Sequence, residues 1–388
     1  MCEVAFLHPD LGIGGAERLI LDAVKAVKLK HPKTTIWTCH FDPNHCFSDA
    51  KDHKIEVRGS KIPRHIFGFA HIFFALLSNL WLTICCALSS KAEIFIVDQV
   101  SAFIPLLRLL CPKAKILFYC HFPDLLLANH NSFLRKLYRL PFDWIEKIGL
   151  KCSHLILVNS NFTKNIVKET FGITNVNVLY PCVDCSRKVS RKRLETPFFI
   201  SLNRYERKKD HNLAIKALKV VLDSNHSNEM SQIKLLIAGG YDERVIENVE
   251  HYSELENLIK ELNIENHVEL VKNISDDEKW IKIGEATALL YTPQREHFGI
   301  VPIEAEAVGV PVIACNSGGP IETCAQKPCK LCDPTPEAFA QAMIQLFEDK
   351  QDYTDLLKKN VSDKFGFDKF ADDLNNDIEI LSQKCKTD

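Results

Sequence analysis

A chain of 388 residues and 44.2 kDa is too long for one compact module, and at roughly 100–200 residues per domain it is expected to form two. Hydrophobic residues at 46% and charged residues at 25% exclude a disordered or collagen-like chain. The 48 Lys and Arg against 50 Asp and Glu leave a formal charge of −2, so no overall basic field points to nucleic acid, and a mean hydropathy of −0.07 excludes a many-span membrane protein.

The chain runs from Met1-Cys2-Glu3 straight into an apolar stretch with no secretory signal, so its 15 cysteines are expected to stay reduced. Two C-x-x-C pairs occur, Cys182/Cys185 and Cys329/Cys332. A zinc ribbon keeps such knuckles about 15–20 residues apart, whereas these lie in different halves of the chain, and no metal is expected.

Apolar runs at 4–7, 35–40, 94–97, 116–120 and 155–158 read as buried parallel strands, with helical patterns such as 16–29 and 133–150 between them. This alternation predicts a doubly wound α/β domain over 1–183. Residues 184–197, which hold Arg187, Lys188, Arg191, Lys192, Arg193 and Pro197, read as a linker whose charges form a solvated loop. A second α/β series follows over 198–369, with strands at 198–202, 234–238, 268–271, 288–291 and 312–314. The last stretch, 370–388, has helical spacing at Phe370, Leu374, Ile378 and Leu381 and is expected to pack back on the first domain. The fold class is therefore α/β, with two Rossmann-like domains facing a central cleft and ligands at the carboxyl ends of the strands.

One segment departs from the average. Residues 65–90 contain no Asp, Glu, Lys or Arg, and 66–88 are long enough, at about 1.5 Å per residue, to cross a ~30 Å hydrocarbon core. A true span would put strands of one sheet on opposite sides of the membrane. The consistent options are a helix or hairpin lying in the bilayer interface, or a buried core helix. Phe67, Phe69, Phe73, Phe74 and Trp81, flanked by Arg58, Lys61, Arg64 and Lys91, favour membrane association.

Four motifs fall where strands end. After the first strand, His8-Pro9-Asp10 leads to Gly14 and Gly15, whose amides can approach a phosphate at a helix start. The third glycine of the dinucleotide fingerprint is missing, and a plain tight turn would use the same residues. Strand 116–120 is followed by His121 in Cys120-His121-Phe122-Pro123-Asp124, placed to meet a sugar hydroxyl or to serve as an ordinary edge histidine. The second domain opens with Asn203-Arg204-Tyr205-Glu206-Arg207-Lys208-Lys209. Arg204 and Lys209 could neutralise a diphosphate there, although a solvated basic turn has the same composition, and the adjacent Arg207, Lys208 and Lys209 cannot be ranked. The fourth motif runs from Glu296 to Glu304 through Phe298, Gly299 and Ile300. A helix over 300–307 would offer those three amides to a phosphate, with Glu296 for sugar hydroxyls and Glu304 for a ribose diol.

The E-x7-E arrangement, the R-x4-K pair, the early Gly-Gly turn and the two-Rossmann layout resemble the retaining GT-B glycosyltransferases that use nucleotide sugars. His8-Pro9-Asp10 with Gly14–Arg18, Cys120–Asp124 and Asn203–Lys209 more narrowly resemble the eukaryotic alpha-1,3/1,6-mannosyltransferases of dolichol-linked oligosaccharide synthesis, over nearly the whole chain. The E-x7-E motif specifies only the superfamily; the combination specifies the narrower family. Asp210 stands where many relatives in the superfamily carry glycine, which leaves the geometry of the Lys209 loop open.

The resemblance implies transfer of mannose from GDP-mannose to a dolichyl-diphosphate-linked oligosaccharide, alpha-1,3 and then alpha-1,6, at the cytoplasmic face of the endoplasmic reticulum membrane. Membrane lipid and other glycosyltransferases of the pathway are the implied partners. It implies that Glu296 and His121 contact the transferred mannose and Glu304 the ribose, while Arg204, Lys209 and the amides of Phe298, Gly299 and Ile300 hold the diphosphate. Gly14 and Gly15 back the reaction centre, and Gly239-Gly240-Tyr241 with residues 271–274 lie on the guanine side. The absence of a D-x-D triplet fits neutralisation by the two cations, and no cofactor is expected. The other readings are a GT-B transferase with a UDP-sugar donor and a catalytically inactive membrane-associated scaffold.

Overall fold

Two separate all-parallel sheets organise the chain in the computed structural model, which describes residues 2–60, 62–63, 71–127, 133–185, 187, 189–224 and 229–383. The first contains β1 (Val4–Leu11), β2 (Thr34–Phe41), β3 (Ile55–Val57), β4 (Ile94–Asp98), β5 (Lys115–Cys120), β6 (Leu155–Val158) and β7 (Val176–Val178), in the order β3-β2-β1-β4-β5-β6-β7. The second contains β8 (Phe198–Leu202), β9 (Lys234–Gly239), β10 (Val268–Lys272), β11 (Ala288–Tyr291), β12 (Val312–Cys315) and β13 (Lys330–Cys332), in the order β10-β9-β8-β11-β12-β13. Each expected strand lies within an observed one. The additional β3, β7 and β13 are three-residue edge strands, too short to show a period.

Why the strands read as continuous apolar runs is visible in their packing. In the second sheet Phe199, Leu235, Ile237, Ala288, Leu290 and Ile313 enter one core. Their neighbours Ile200, Leu236, Ala238, Leu289, Tyr291 and Val312 enter another on the opposite face. The first sheet divides in the same way, with Val4, Phe6, Ile94 and Ile96 on one side and Ala5, Leu7, Phe95 and Val97 on the other. Both faces are covered by helices, so alternate residues have no polar side to face.

Contacts divide the chain into one unit built from residues up to Cys182 plus the helix that begins at Phe367, and a second unit, Val183–Gly366. The helix Phe367–Gln383 buries Phe370, Leu374, Ile378 and Leu381 against Leu19, Ala23, Ala26 and Val27 of the helix Gly15–Lys28. Asn375 donates to the Ala26 carbonyl at 3.0 Å, and Asn177 to Asp377 at 2.8 Å.

Two cations of the basic run, Arg191 and Arg193, are not the solvated charges expected for 184–197. Arg191 donates to the carbonyls of Gly284 and Ala286 at the end of the helix Asp276–Glu285. Arg193 donates to Leu346, Phe347 and Asp349 at the end of the helix Pro336–Glu348. Both cations cap carbonyls that a helix end leaves without partners and lie at the negative pole of the dipole. Lys188 lies outside the described residues.

Of the charge-free segment, the helix His71–Ser89 connects β3 to β4 and packs Leu82 and Cys86 into the first unit's core. Trp81 is 51% exposed and Leu88 75%. Among the described residues no helix is long and apolar enough to cross a membrane. Lys61, Arg64, Phe67 and Phe69 lie outside the described residues.

Candidate active site

Each strand order reverses direction once, between β1 and β4 in the first sheet and between β8 and β11 in the second. Crossover helices leave opposite faces there, so the carboxyl ends of those strands open a crevice in which doubly wound folds bind ligands. The candidate residues gather at these two places.

In the second unit β8 ends at Leu202 and the chain turns through Arg204 to Lys209. The structure ranks the three adjacent cations. Arg207 turns to Glu250 and Glu254 of the helix Ile246–Glu261, and Lys208 turns to Glu206. Lys209 alone of the three reaches Glu296, in a short ion pair. Lys209 sits on a one-turn 3-10 segment, Arg207–Lys209, rather than at the start of the following helix. Asp210 follows in the left-handed region, φ 49°, a conformation that glycine adopts freely and Asp tolerates better than most residues. This answers the departure at this position: the loop keeps a glycine-type turn with Asp in it. The Lys209 carbonyl accepts from Thr292 Oγ1 at 2.7 Å, tying the loop to the end of β11. Arg204 has a 65% exposed side chain, with Nη1 2.9 Å from Glu206.

Glu296 lies in the loop after β11. Burial raises its carboxyl pKa, but the neighbouring Lys209 charge outweighs burial and holds it below the usual carboxylate range. Gly299 precedes the helix Ile300–Val308 at φ 88°, a left-handed turn that a Cβ would strain. Phe298 is buried against Phe365, ring centroids 5.9 Å apart, which anchors the loop while Ile300 stays partly exposed at the helix start. Glu304 lies one turn into that helix. Burial raises its pKa, and Lys279 at 3.3 Å only partly offsets this.

The loops after β9 and β10 are fastened together. Gly239 is so close to Asn203 that a Cβ would collide with its carbonyl oxygen. Asn273 accepts from the Tyr241 amide and donates to the Tyr241 carbonyl, both at 2.8 Å, while its own amide donates to Gly239. Tyr205, fully buried, places its hydroxyl 3.0 Å from the carbonyls of Ile237 and Val271.

In the first unit Gly14 precedes the helix Gly15–Lys28, and the Glu17 carboxylate lies over it. His8 on β1 and His121 just after β5 both meet Asp98, the last residue of β4. Asp98 Oδ2 is 2.8 Å from His8 Nδ1, and its Oδ1 is 2.9 Å from His121 Nε2. His8 Nε2 lies 3.7 Å from Glu17. Burial lowers the His8 pKa, but Asp98 and Glu17 outweigh it and bring it up to about 9. Burial raises Asp98, but His121 and His8 bring it down to about 2.

Sequence reasoning missed Asp98, Thr292 and Gly319, which packs against the Phe298 backbone and donates its amide to the Glu296 carbonyl. Asp98 had a usable signal, since it is the one acid directly following the apolar run 94–97. The others act through contacts distant in sequence. The structure thus brings together Lys209, Thr292, Glu296 and the start of the helix Ile300–Val308 in one unit, and Gly14, His8 and His121 in the other.

Residues 184–362 match the family model for glycosyl transferases group 1, and residues 13–187 match that for glycosyltransferase family 4. The chain is 40% identical to the alpha-1,3/1,6-mannosyltransferase ALG2 of Mus musculus, over 96% of this chain and 94% of that one. It is 42% identical to that of Homo sapiens, over 88% and 86%, and 41% identical to that of Saccharomyces cerevisiae, over 82% and 70%. Among solved structures, a sucrose-phosphate synthase from Thermosynechococcus elongatus superposes with a TM-score of 0.79 at 17% identity, covering 99% of this chain and 100% of that one. Anabaena HepE in complex with UDP gives 0.72 at 15% identity, covering 97% and 99%. At such identities these likenesses show the fold alone.

Proposed function

The chain belongs to the alpha-1,3/1,6-mannosyltransferase ALG2 family of GT-B glycosyltransferases, and from that premise we propose that it moves mannose from GDP-mannose to a dolichyl-diphosphate-linked oligosaccharide, alpha-1,3 and then alpha-1,6, in assembly of the N-glycan precursor. The observation that supports this reading best is the Lys209–Glu296 pair beside the start of the helix Ile300–Val308, at the point where the second sheet reverses its order.

The chemistry follows from where charge develops. As the glycosidic bond of the donor breaks, negative charge grows on the departing diphosphate. Arg204, with its guanidinium in solvent, Lys209 and the amides from Phe298 to Ile300 stabilise that charge more than they stabilise the bound donor. Glu296, kept ionised by Lys209, faces the positive charge that grows on the sugar, either as nucleophile or as electrostatic partner. Glu304 accepts from the ribose hydroxyls, and the tied loops of Gly239–Tyr241 and Asn273 border the base. His121 is the remaining residue that the resemblance assigns to the mannose.

The acceptor's lipid places the reaction at a membrane surface, and we assign the enzyme to the cytoplasmic face of the endoplasmic reticulum. Exposed Leu77, Trp81 and Leu88 on the helix His71–Ser89 support contact with the bilayer, which would raise the effective concentration of the acceptor. The test is incubation with GDP-mannose and a lipid-linked chitobiose-mannose acceptor, followed by linkage analysis. Alpha-1,3- and alpha-1,6-linked products are expected. Transfer from a UDP-sugar but not from GDP-mannose would overturn the donor assignment, and failure to bind either nucleotide sugar would point to the inactive scaffold.

A further inference from the structure

Along one face of the helix Ile246–Glu261, residues three and four apart turn to the loop that carries Lys209. Asn248 donates to the Tyr205 carbonyl at 3.0 Å, and Glu250 accepts from Arg207 Nη2 at 2.8 Å. His251, 1% exposed, brings Nε2 to 3.2 Å from His211 Nδ1. Glu254 has two partners. Its Oε1 accepts from Arg207 Nη2 at 2.6 Å, and its Oε2 lies 3.2 Å from His251 Nδ1. The loop is therefore held on both sides of Lys209, at Arg207 and at His211, and both holds meet at one carboxylate.

The segment Arg207–Lys209 is a 3-10 turn, in which successive side chains stand about 120° apart. Its three cations accordingly point three ways: Arg207 to the helix Ile246–Glu261, Lys208 to Glu206 and Lys209 to Glu296. Whatever fixes the direction of Arg207 sets the rotation of the turn, and with it the direction of Lys209. We propose that Glu254 and His251 are the positioning residues for Lys209: Glu254 grips Arg207 with one oxygen and His251 with the other, and His251 holds His211, so that the ammonium group is aimed at Glu296 and the diphosphate site.

The hydrogen bonds in this clamp have a fixed sense. Arg207 keeps the Glu254 carboxyl below the usual carboxylate range, so its oxygens only accept and His251 Nδ1 carries a proton. His211 is fully buried and stacks on Tyr205, ring centroids 5.6 Å apart. Burial and the neighbouring His251 bring its pKa down to about 3, which leaves a neutral ring with a single proton. Water can replace a partner of the exposed Arg207–Glu254 pair, but not of the two buried imidazoles.

Glu250 and Glu254 are both exposed and both pair with Arg207, but of the two only Glu254 reaches His251. Glu254→Ala should lower kcat by about 10- to 50-fold and leave KM for GDP-mannose within about threefold, because a displaced ammonium group serves the departing diphosphate less well. Glu250→Ala should keep kcat within about twofold. Glu254→Gln, whose amide oxygen still accepts from His251 Nδ1 while Glu250 holds Arg207, should return kcat to within about threefold of wild type. In a Lys209→Met background Glu254→Ala should cost less than about twofold more, because its effect passes through Lys209. Full kcat in Glu254→Ala, an equal loss in Glu250→Ala, no recovery in Glu254→Gln, or losses that multiply with Lys209→Met overturn the proposal.

This role rests on the mannosyltransferase reading, so a second measurement stands apart from activity. The Lys209 and Asp210 amides are bonded within the turn itself, to the carbonyls of Glu206 and Arg207. Hydrogen exchange read by mass spectrometry, without substrate, should be at least about tenfold faster over 205–211 in Glu254→Ala than in wild type, and no faster in Glu250→Ala. Unchanged exchange in Glu254→Ala overturns the proposal. Faster exchange in a protein whose wild type transfers no mannose would instead count against the function alone.

Discussion

Lys209 and Glu296, 87 residues apart in the chain, form a largely buried ion pair that joins the loop after β8 to the loop after β11. Removing only the cation leaves a carboxylate largely shielded from water without its counter-charge, which costs stability as well as chemistry. Lys209→Met should lower kcat/KM by about 100- to 1000-fold and lower the melting temperature. Adding Glu296→Gln should restore much of the melting temperature and none of the activity. Near-normal transfer by Lys209→Met would remove Lys209 from the diphosphate site.

The role proposed for Glu304 is binding and not bond breaking. Glu304→Gln should raise KM for GDP-mannose by about tenfold and leave kcat within about twofold, as expected when ground state and transition state lose the same contact. A loss confined to kcat would instead place Glu304 at the reacting centre.

Backbone proximity makes Gly239 a sensitive position. A methyl group there meets the Asn203 carbonyl oxygen, so the loops after β8 and β9 must separate. Gly239→Ala should destabilise the second unit by about 2–3 kcal/mol in denaturant titration and weaken GDP binding. Gly15→Ala is the contrast: nothing lies within 4 Å of its added carbon, and stability should hold.

The buried His8 makes stability pH-dependent in a direction that can be worked out. Its folded pKa of about 9 lies above the ordinary 6.5, so its contribution is complete below 6.5 and is lost as pH rises through about 9. Asp98, brought down to about 2 from 3.8, contributes above about 4 and loses that contribution as pH falls toward 2. Urea midpoints from pH 6 to pH 9.5 should fall in the wild type and fall less in His8→Gln, which has no imidazolium to lose between Asp98 and Glu17. Parallel curves for the two proteins would show that His8 is neutral when folded.

Bilayer contact through the helix His71–Ser89 predicts that Trp81→Glu with Leu88→Glu weakens co-sedimentation with anionic vesicles by more than about tenfold. Transfer to a short-chain, water-soluble acceptor analogue should be unaffected. Unchanged sedimentation would locate membrane binding elsewhere.

The strands were readable because parallel strands covered on both faces appear as apolar runs, as 155–158, 198–202 and 288–291 did. β3, β7 and β13 were not, since three residues carry no period and their pairing comes from a neighbouring strand. The positions of Glu296, Arg204 and Lys209 beyond strand ends, and of Glu304 in the helix that follows, were readable from motif spacing. Choosing Lys209 over Arg207 and Lys208 required the acids on the helix Ile246–Glu261, which no local pattern reveals. The role of Arg193 was hidden for the same reason, because the carbonyls it caps lie 153 to 156 residues further on. Asp98 is 90 residues from His8, and only the adjacency of β1 and β4 brings them together.

The helix Phe367–Gln383 supplies part of the core wall of the unit that begins at the amino terminus. Synthesis proceeds from that terminus, and domains generally fold as they emerge. Val183–Gly366 has all its sequence while the earlier unit still lacks a helix. Until Phe367–Gln383 leaves the ribosome, the part of the core that Gly15–Lys28 shares with it lacks Phe370, Leu374, Ile378 and Leu381. A chain stopped at Gly366 would therefore spoil the half that was made first.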